Sequence, residues 1–356
     1  MQKKRSKKSL ILFVILGLTI LILTTATSVL SATDKPINLV FSFFEPPMST
    51  TWTQMYKPWF EKLEKVTNGR VKVEAHLGGE LLSLPDSYDG VVKGTVDMAH
   101  YFTSMNPRKF VMDDIMTFWS SDKFCYRQGQ VYWELFQKFP EMRAQYDKVK
   151  FLWAGTSYCV GIATTKKPIY KMEDAKGLKL AGPGVWASKR YETMGLIAVA
   201  IPPEDVVMSL QTGLLDGIVT PAWTIRDLGW GPTLSYLTLN GSNSPANVCI
   251  MNLKTWNSLP ADIQKIMEDM IPENIEGYDE VNNRIITDRL STVKEEFGID
   301  IIRPSKEELA RWVEACKPVR EEYIKFLEDK GLPGKEFMAE FLRLEEKYSS
   351  EEYANK

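Results

Sequence analysis

Two stretches of this 356-residue chain repeat one pattern, and that pattern limits the folds open to it. Residues 86–93 read as a short helix closed by Gly94, followed by Thr95-Val96-Asp97 and a strand through Phe102. Residues 205–212 read as a helix closed by Gly213, followed by Leu214-Leu215-Asp216 and a strand through Thr220. The two aspartates lie 119 positions apart. In each unit glycine stands where a helix ends in a left-handed residue before the chain re-enters a sheet. Glycine ends many helices, so coincidence is the bland reading. The sharper one is two similar α/β lobes.

The flanking pattern agrees. A strand over 37–43 is followed by Trp52, Met55, Tyr56, Trp59, Leu63 and Val66, which fall on one helical stripe opened by Thr51 with Gln54 and stopped at Asn68-Gly69. Val71, Val73 and Ala75 then alternate with polar residues at the period of a half-buried strand. Strands are expected near 151–154, 160–165, 178–181, 197–201 and 248–251, with a helix over 187–194. The C-terminal third reads as helical: a stretch from Pro260 to Phe297 bent near Pro272, a helix capped by Ser305 and Glu308, and a last one after Gly331 to Gly334. Alternation of strand and helix is the signature of a largely parallel sheet.

Charge separates the N-terminus from the rest. Residues 1–32 hold five Lys or Arg and no Asp or Glu, and 10–23 are apolar apart from Gly17 and Thr19. This reads as an export signal ending near Ala32, with an uncleaved membrane anchor as the alternative. The remaining 324 residues hold 39 basic and 46 acidic side chains, a net charge of −7. An acidic chain without a Lys/Arg run is a poor nucleic-acid binder. A periplasmic or extracytoplasmic protein is expected. Cys125, Cys159, Cys249 and Cys316 show neither metal-ligand spacing nor a lipid-anchor position, and leave the disulfide question open.

Motifs of catalysis are weak. Gly182-Pro183-Gly184-Val185-Trp186-Ala187 matches a dinucleotide fingerprint, with Glu204 at the ribose-acid spacing, yet it lies mid-chain with proline in its turn and reads as a strand-to-helix loop. Gly155-Thr156-Ser157-Tyr158-Cys159 lacks the final glycine of a nucleophile elbow. The two histidines, His76 and His100, fall in or beside strands, and Asp113-Asp114 are adjacent, so their side chains diverge. No enzyme activity, cofactor or metal is expected. Aromatic residues are the remaining constellation: Trp119, Trp186, Trp223 and Trp230, with Tyr101 and Tyr158, fall near strand ends or loops, where a two-lobe α/β protein places its ligand.

At this level the chain resembles a known family. Gly177-Leu178-Lys179, a helix, Gly195, and then Glu204 to Asp216 ending Ser209-Leu210-Gln211-Thr212-Gly213-Leu214-Leu215-Asp216-Gly217 are similar to the solute-binding proteins of TRAP (tripartite ATP-independent periplasmic) transporters, the DctP-type family. Trp59 to Gly69, Gly79-Glu80-Leu81, residues 94–97, 164–169 and 256–264 fall in family order. The resemblance implies a two-lobe periplasmic-binding-protein fold with hinge strands and a long connecting helix. It places one lobe at 36–156 with about 246–285, and the other at 157–245 with about 286–350. It also implies closure over a small organic solute and delivery to membrane permease subunits, with no chemistry on the solute.

Departures from the family bear on the ligand. An arginine is usual two residues beyond Gly-Leu-Lys, where it clamps a substrate carboxylate, and here Ala181 stands there. A second frequent arginine aligns with Gly161, and a frequent asparagine with Thr220. A carboxylate buried without a cation costs several kcal/mol, which argues against the usual clamp. The expected solute is neutral or aromatic, or a cation in an aromatic box with Glu45 or Glu80. Arg226, one turn after Trp223, keeps an acid open. The expected contact set is Glu45, Trp52, Glu80, Tyr101, Trp119, Tyr158, Ala181, Trp186, Thr220, Trp223, Arg226 and Asn247. The competing classes are an exported enzyme working in the same cleft and a binding subunit of a sensor.

Overall fold

The computed structural model describes residues 35–118, 127–156, 160–182, 184–202, 205–242 and 245–349. The proposed export signal, Trp119, Tyr158, Cys125 and Cys159 lie outside them, as do Pro183 and Glu204 of the fingerprint. Two sheets organise the chain. The first contains β1 (Ile37–Ser42), β2 (Val71–His76), β3 (Met98–Phe102), β4 (Val149–Gly155) and a returning strand, 247–252. The second contains β5 (Val160–Thr164), β6 (Lys179–Ala181), β7 (Ile197–Val199), β8 (Gly217–Pro221), β9 (Tyr236–Ser242) and a late strand, 300–302. With the returning strand as β10 (Asn247–Asn252) and the late one as β11 (Asp300–Ile302), the orders are β2-β1-β3-β10-β4 and β11-β9-β5-β8-β6-β7.

The sheets are variations on one plan. β1 lies between β2 and β3 with all three parallel, and β6 lies between β7 and β8 in the same way. β10 then runs antiparallel to β3 and β4, as β5 does to β8 and β9. The repeated aspartates play matching parts. Asp97 Oδ2 accepts from Val40 N–H at 2.8 Å, and Asp216 Oδ2 accepts from Lys179 N–H at 2.8 Å, each tying the strand entry to the central strand beside it. Their carbonyls accept from Asn252 and Thr165 N–H at 2.8 and 2.9 Å. Gly94 and Gly213, which end the preceding helices, have φ of 76° and 75°, the left-handed backbone that the repeat requires.

Helices cover both sheets. α1 (Lys57–Val66) continues from a π-helical turn at Trp52–Tyr56, and α2 (Ser87–Lys93), α3 (Gln128–Lys138) and α4 (Pro140–Ala144) complete the first half. α5 (Val185–Glu192), α6 (Val206–Thr212) and α7 (Ala222–Asp227) belong to the second sheet. The expected helix from Pro260 divides at Met270, two residues before Pro272, into α9 (Ala261–Asp269) and α10 (Ile271–Phe297), after a short α8 (Leu253–Ser258). Proline lacks the N–H an uninterrupted helix needs, so the bend becomes a break. α10 joins the lobes: Ile275 and Tyr278 pack in the first core, Leu290 and Val293 in the second.

The C-terminal helices depart from expectation. α11 (Lys306–Ala315) buries Trp312 against Ile162, Leu180 and Val219 of the second lobe. α12 (Lys317–Glu328) and α13 (Gly334–Tyr348), expected on the second lobe, bury Tyr323, Leu327, Phe337, Phe341 and Leu344 in the first lobe's core. Their amphipathic faces are clear in the sequence, but such a face does not say which core it covers. The chain therefore passes between lobes four times: after β4, after β9, along α10 and between α11 and α12. Among the described residues no helix is long and apolar enough to cross a membrane.

Candidate functional site

Parallel strands put their carboxyl ends on one side of a sheet, and here those ends meet across the gap between lobes. Phe44 and Glu45 follow β1, Phe102 ends β3, Ala181 ends β6 and Pro221 ends β8, and all line one cavity of about 190 Å³. Leu84, Ser104 and Met105 complete the first-lobe wall. Ile201, Val206, Ile218, Trp223, Leu228 and Trp230 form most of the second, and Pro245 closes the side near the β9–β10 link. The lobes approach each other closely at two places. Asp227, at the end of α7, accepts from Thr50 N–H at 2.9 Å through Oδ2. A Cβ at Gly184 would stand 3.2 Å from Ser104 Cβ.

Among the described residues that line the cavity, Glu45 is the one ionisable side chain. It is 2 % exposed. Burial pushes its carboxyl up to about 8 against the hydroxyls of Ser49 and Thr51, which hydrogen bond to it, and the Asp227 carboxylate pushes the same way as burial. Burial therefore favours the protonated form of Glu45. Glu45 Oε2 and Trp223 Nε1 are both buried without a hydrogen-bond partner among the described residues. The cavity thus combines apolar walls with two unanswered polar atoms, one from each lobe. A neutral solute with a hydrogen-bonding group fits such a lining better than an anion.

Of the expected contact set, Glu45, Ala181 and Trp223 line the cavity. Thr220 lies on β8 beside it, with its hydroxyl paired to that of Thr224. Asn247 starts β10 and donates to Tyr278 Oη at 2.9 Å, away from the lining. Glu80 is on the surface, 3.1 Å from His76 Nδ1. Arg226 points outward and pairs with Glu296 at 3.0 Å, so the route to an acid ligand through that residue is closed in this conformation. Trp52 packs near Phe43 and Phe60. Tyr101 is a core residue against Tyr88 and Phe110. Trp186 turns away from the cleft to lie against Tyr323 and Phe326 of α12. Trp119 and Tyr158 are outside the described residues. Outside the expected set, Phe44, Leu84, Phe102, Ile201 and Leu228 also line the cavity, Phe44 and Phe102 from strand ends that the sequence pattern marks.

The other titratable candidates serve the framework. His100 Nδ1 bonds Tyr56 Oη at 2.7 Å, and burial pushes the ring down to about 3, so it stays neutral. Asp113 accepts from Tyr132 Oη at 3.0 Å and Gln145 Nε2 at 2.9 Å, and burial raises it to about 7. Among the described residues no cluster of three or more His, Cys, Asp or Glu could hold a metal ion. Cys249 and Cys316 are buried free thiols.

A family model for bacterial extracellular solute-binding proteins, family 7 (DctP), matches residues 41–326. The chain belongs to this family. The match runs from the end of β1 past β11, so the family 7 fold accounts for the two-lobe plan. Family 7 is a family of extracytoplasmic binding proteins. The C4-dicarboxylate-binding periplasmic protein of Rhodobacter capsulatus is 23% identical over 88% of this chain and 93% of its own length. A monocarboxylate 2-oxoacid-binding periplasmic protein of Nostoc is 24% identical over 67% of this chain and 70% of its own. A TRAP solute-binding protein of Rhodoferax ferrireducens, solved with co-purified benzoate, superposes with a TM-score of 0.81 at 20% identity, covering 88% of this chain and 98% of that one.

Proposed function

We propose that this family 7 protein is the extracytoplasmic receptor of a TRAP-type transporter for a compact, largely apolar organic solute that it holds without an arginine clamp. One observation carries the ligand reading: the inter-lobe cavity is lined by Phe, Trp, Leu, Ile and Val from both lobes and contains no Lys or Arg among its described residues. A solute touching both walls stabilises the closed arrangement over the open one, which is the event a membrane partner can sense. Relatives solved with benzoate and mandelate support an aromatic solute of this size. Among the described lining residues Glu45 is the one ionisable side chain, which supports binding over turnover, because acid–base hydrolysis commonly uses a second group. Residues 1–32 are proposed as the export signal, and delivery is to TRAP permease subunits.

A thermal-shift panel tests the reading. A solute present at about 100 times its Kd adds about 2.7 kcal/mol, a rise of a few degrees in Tm. Aromatic or other apolar monofunctional solutes are expected to give that rise. A rise confined to succinate and other C4 dicarboxylates would overturn it.

A further inference from the structure

Glu45 and Trp223 line one cavity from opposite lobes, and each contributes a buried polar atom that finds no partner among the described residues. Two such atoms in an apolar enclosure are a recognition element awaiting its complement, because a buried polar group is destabilising until something hydrogen bonds to it. Trp223 Nε1 can only donate. Glu45 donates or accepts according to its protonation, so its state decides what the pair selects. Resting on the receptor reading above, we infer that Glu45 acts as a neutral acid and that Glu45 and Trp223 together donate to one oxygen acceptor at the end of an apolar solute, making capture dependent on the Glu45 proton.

The surroundings favour the acid form. Burial is the largest influence on Glu45, and it outweighs the hydrogen bonds from Ser49 and Thr51. From α7 the facing charge is Asp227, a second carboxylate that disfavours an ionised neighbour. From the π-helical turn the titratable group is Tyr56, bonded at 2.7 Å to His100 Nδ1 of β3, and that imidazole is held neutral. From α10 the cation Arg289 donates to Thr50 Oγ1 at 2.9 Å, one residue from Thr51. A cationic solute would instead have to draw the proton off Glu45.

Benzamide, benzoate and benzylamine share one ring and differ only in the group offered, so calorimetric titration with these three from pH 6 to pH 10 tests the inference. Benzamide is expected to bind, benzoate more weakly because its charge is buried without a cation, and benzylamine not. The affinity of the first two should be flat at low pH and fall about tenfold per pH unit once Glu45 ionises, near pH 8, with up to one proton taken up per solute on that limb. Glu45→Gln should keep binding within a few-fold at pH 6, since its amide donates, and should abolish the fall. Trp223→Phe should weaken binding about tenfold at every pH. Benzylamine binding that strengthens as pH rises and vanishes in Glu45→Gln would overturn the inference, as would a pH dependence that survives in Glu45→Gln. Binding of none of the three probes would also overturn it, while the receptor reading stands or falls on the wider panel. A melting curve on each variant identifies any that fails to fold.

Discussion

At the scale of single residues, Ala181 and Gly161, where the family resemblance leads one to expect arginine, sit in different surroundings. Ala181 lines the cavity, so a long side chain there would enter the solute space. Ala181→Arg is expected to raise affinity for benzoate at least tenfold while lowering Tm by several degrees, because an unpaired guanidinium would be buried in the empty state. Unchanged benzoate affinity in a folded variant would remove the argument. Gly161 sits within β5, where a Cβ would stand 2.8 Å from Thr238 O and 2.6 Å from Leu237 Cδ1. Gly161→Ala should therefore cost about 1–3 kcal/mol, read by urea unfolding. The resemblance singles out both positions; packing puts only Ala181 in the cavity wall.

Glu45 also shapes stability. Its carboxyl is raised from 4.5 to about 8, so the folded state holds a proton that the unfolded chain releases over that interval. The associated stability is present below pH 4.5 and is lost as pH rises through 8. Wild-type Tm should decline between pH 5 and pH 8, and Glu45→Gln should decline less. Equal slopes for the two proteins would show that Glu45 is ionised in the folded state.

Elements carry a second lesson. α3 has no cap from its own preceding residue, Arg127. Asp279 of α10 supplies one from 149 and 150 positions away, accepting from Gly129 N–H at 2.8 Å and Gln130 N–H at 3.0 Å. Asp279→Ala is expected to cost about 1–2 kcal/mol and to lower Tm by a few degrees. Such long-range caps leave no spacing rule in the sequence. The repeated helix, glycine, aspartate and strand could be read because its parts are local and its glycines answer a backbone demand. The strand-end position of Trp223 could be read for the same reason. Trp186 could not: its helix presents it to α12, which no periodicity within 185–192 discloses. The lobe that α12 and α13 cover was hidden likewise, since either core would accept their apolar faces.

On the scale of the whole molecule, the lobes meet through Trp186 of α5, packed on Tyr323 and Phe326 of α12, and through a few polar contacts. The Asp227 to Thr50 contact spans the cleft at one margin, where Arg289 of α10 also reaches Thr50. Asp227→Ala should weaken solute binding about tenfold, the equivalent of one charge-assisted hydrogen bond, and enlarge the radius of gyration of the empty protein in small-angle scattering. Loss of affinity without that enlargement would assign Asp227 to the solute rather than to closure.

The four passages of the chain between lobes have one more consequence. Because the passages are even in number, β1 and α13 both belong to the first lobe. Dyes attached near Ile37 and Tyr348 would ride on one rigid body, and energy transfer between them would stay constant through opening and closing. A pair that reports the motion needs one dye beyond a hinge, for example at the exposed Met208 of α6. Surface immobilisation through either of these ends would likewise leave the second lobe free to swing.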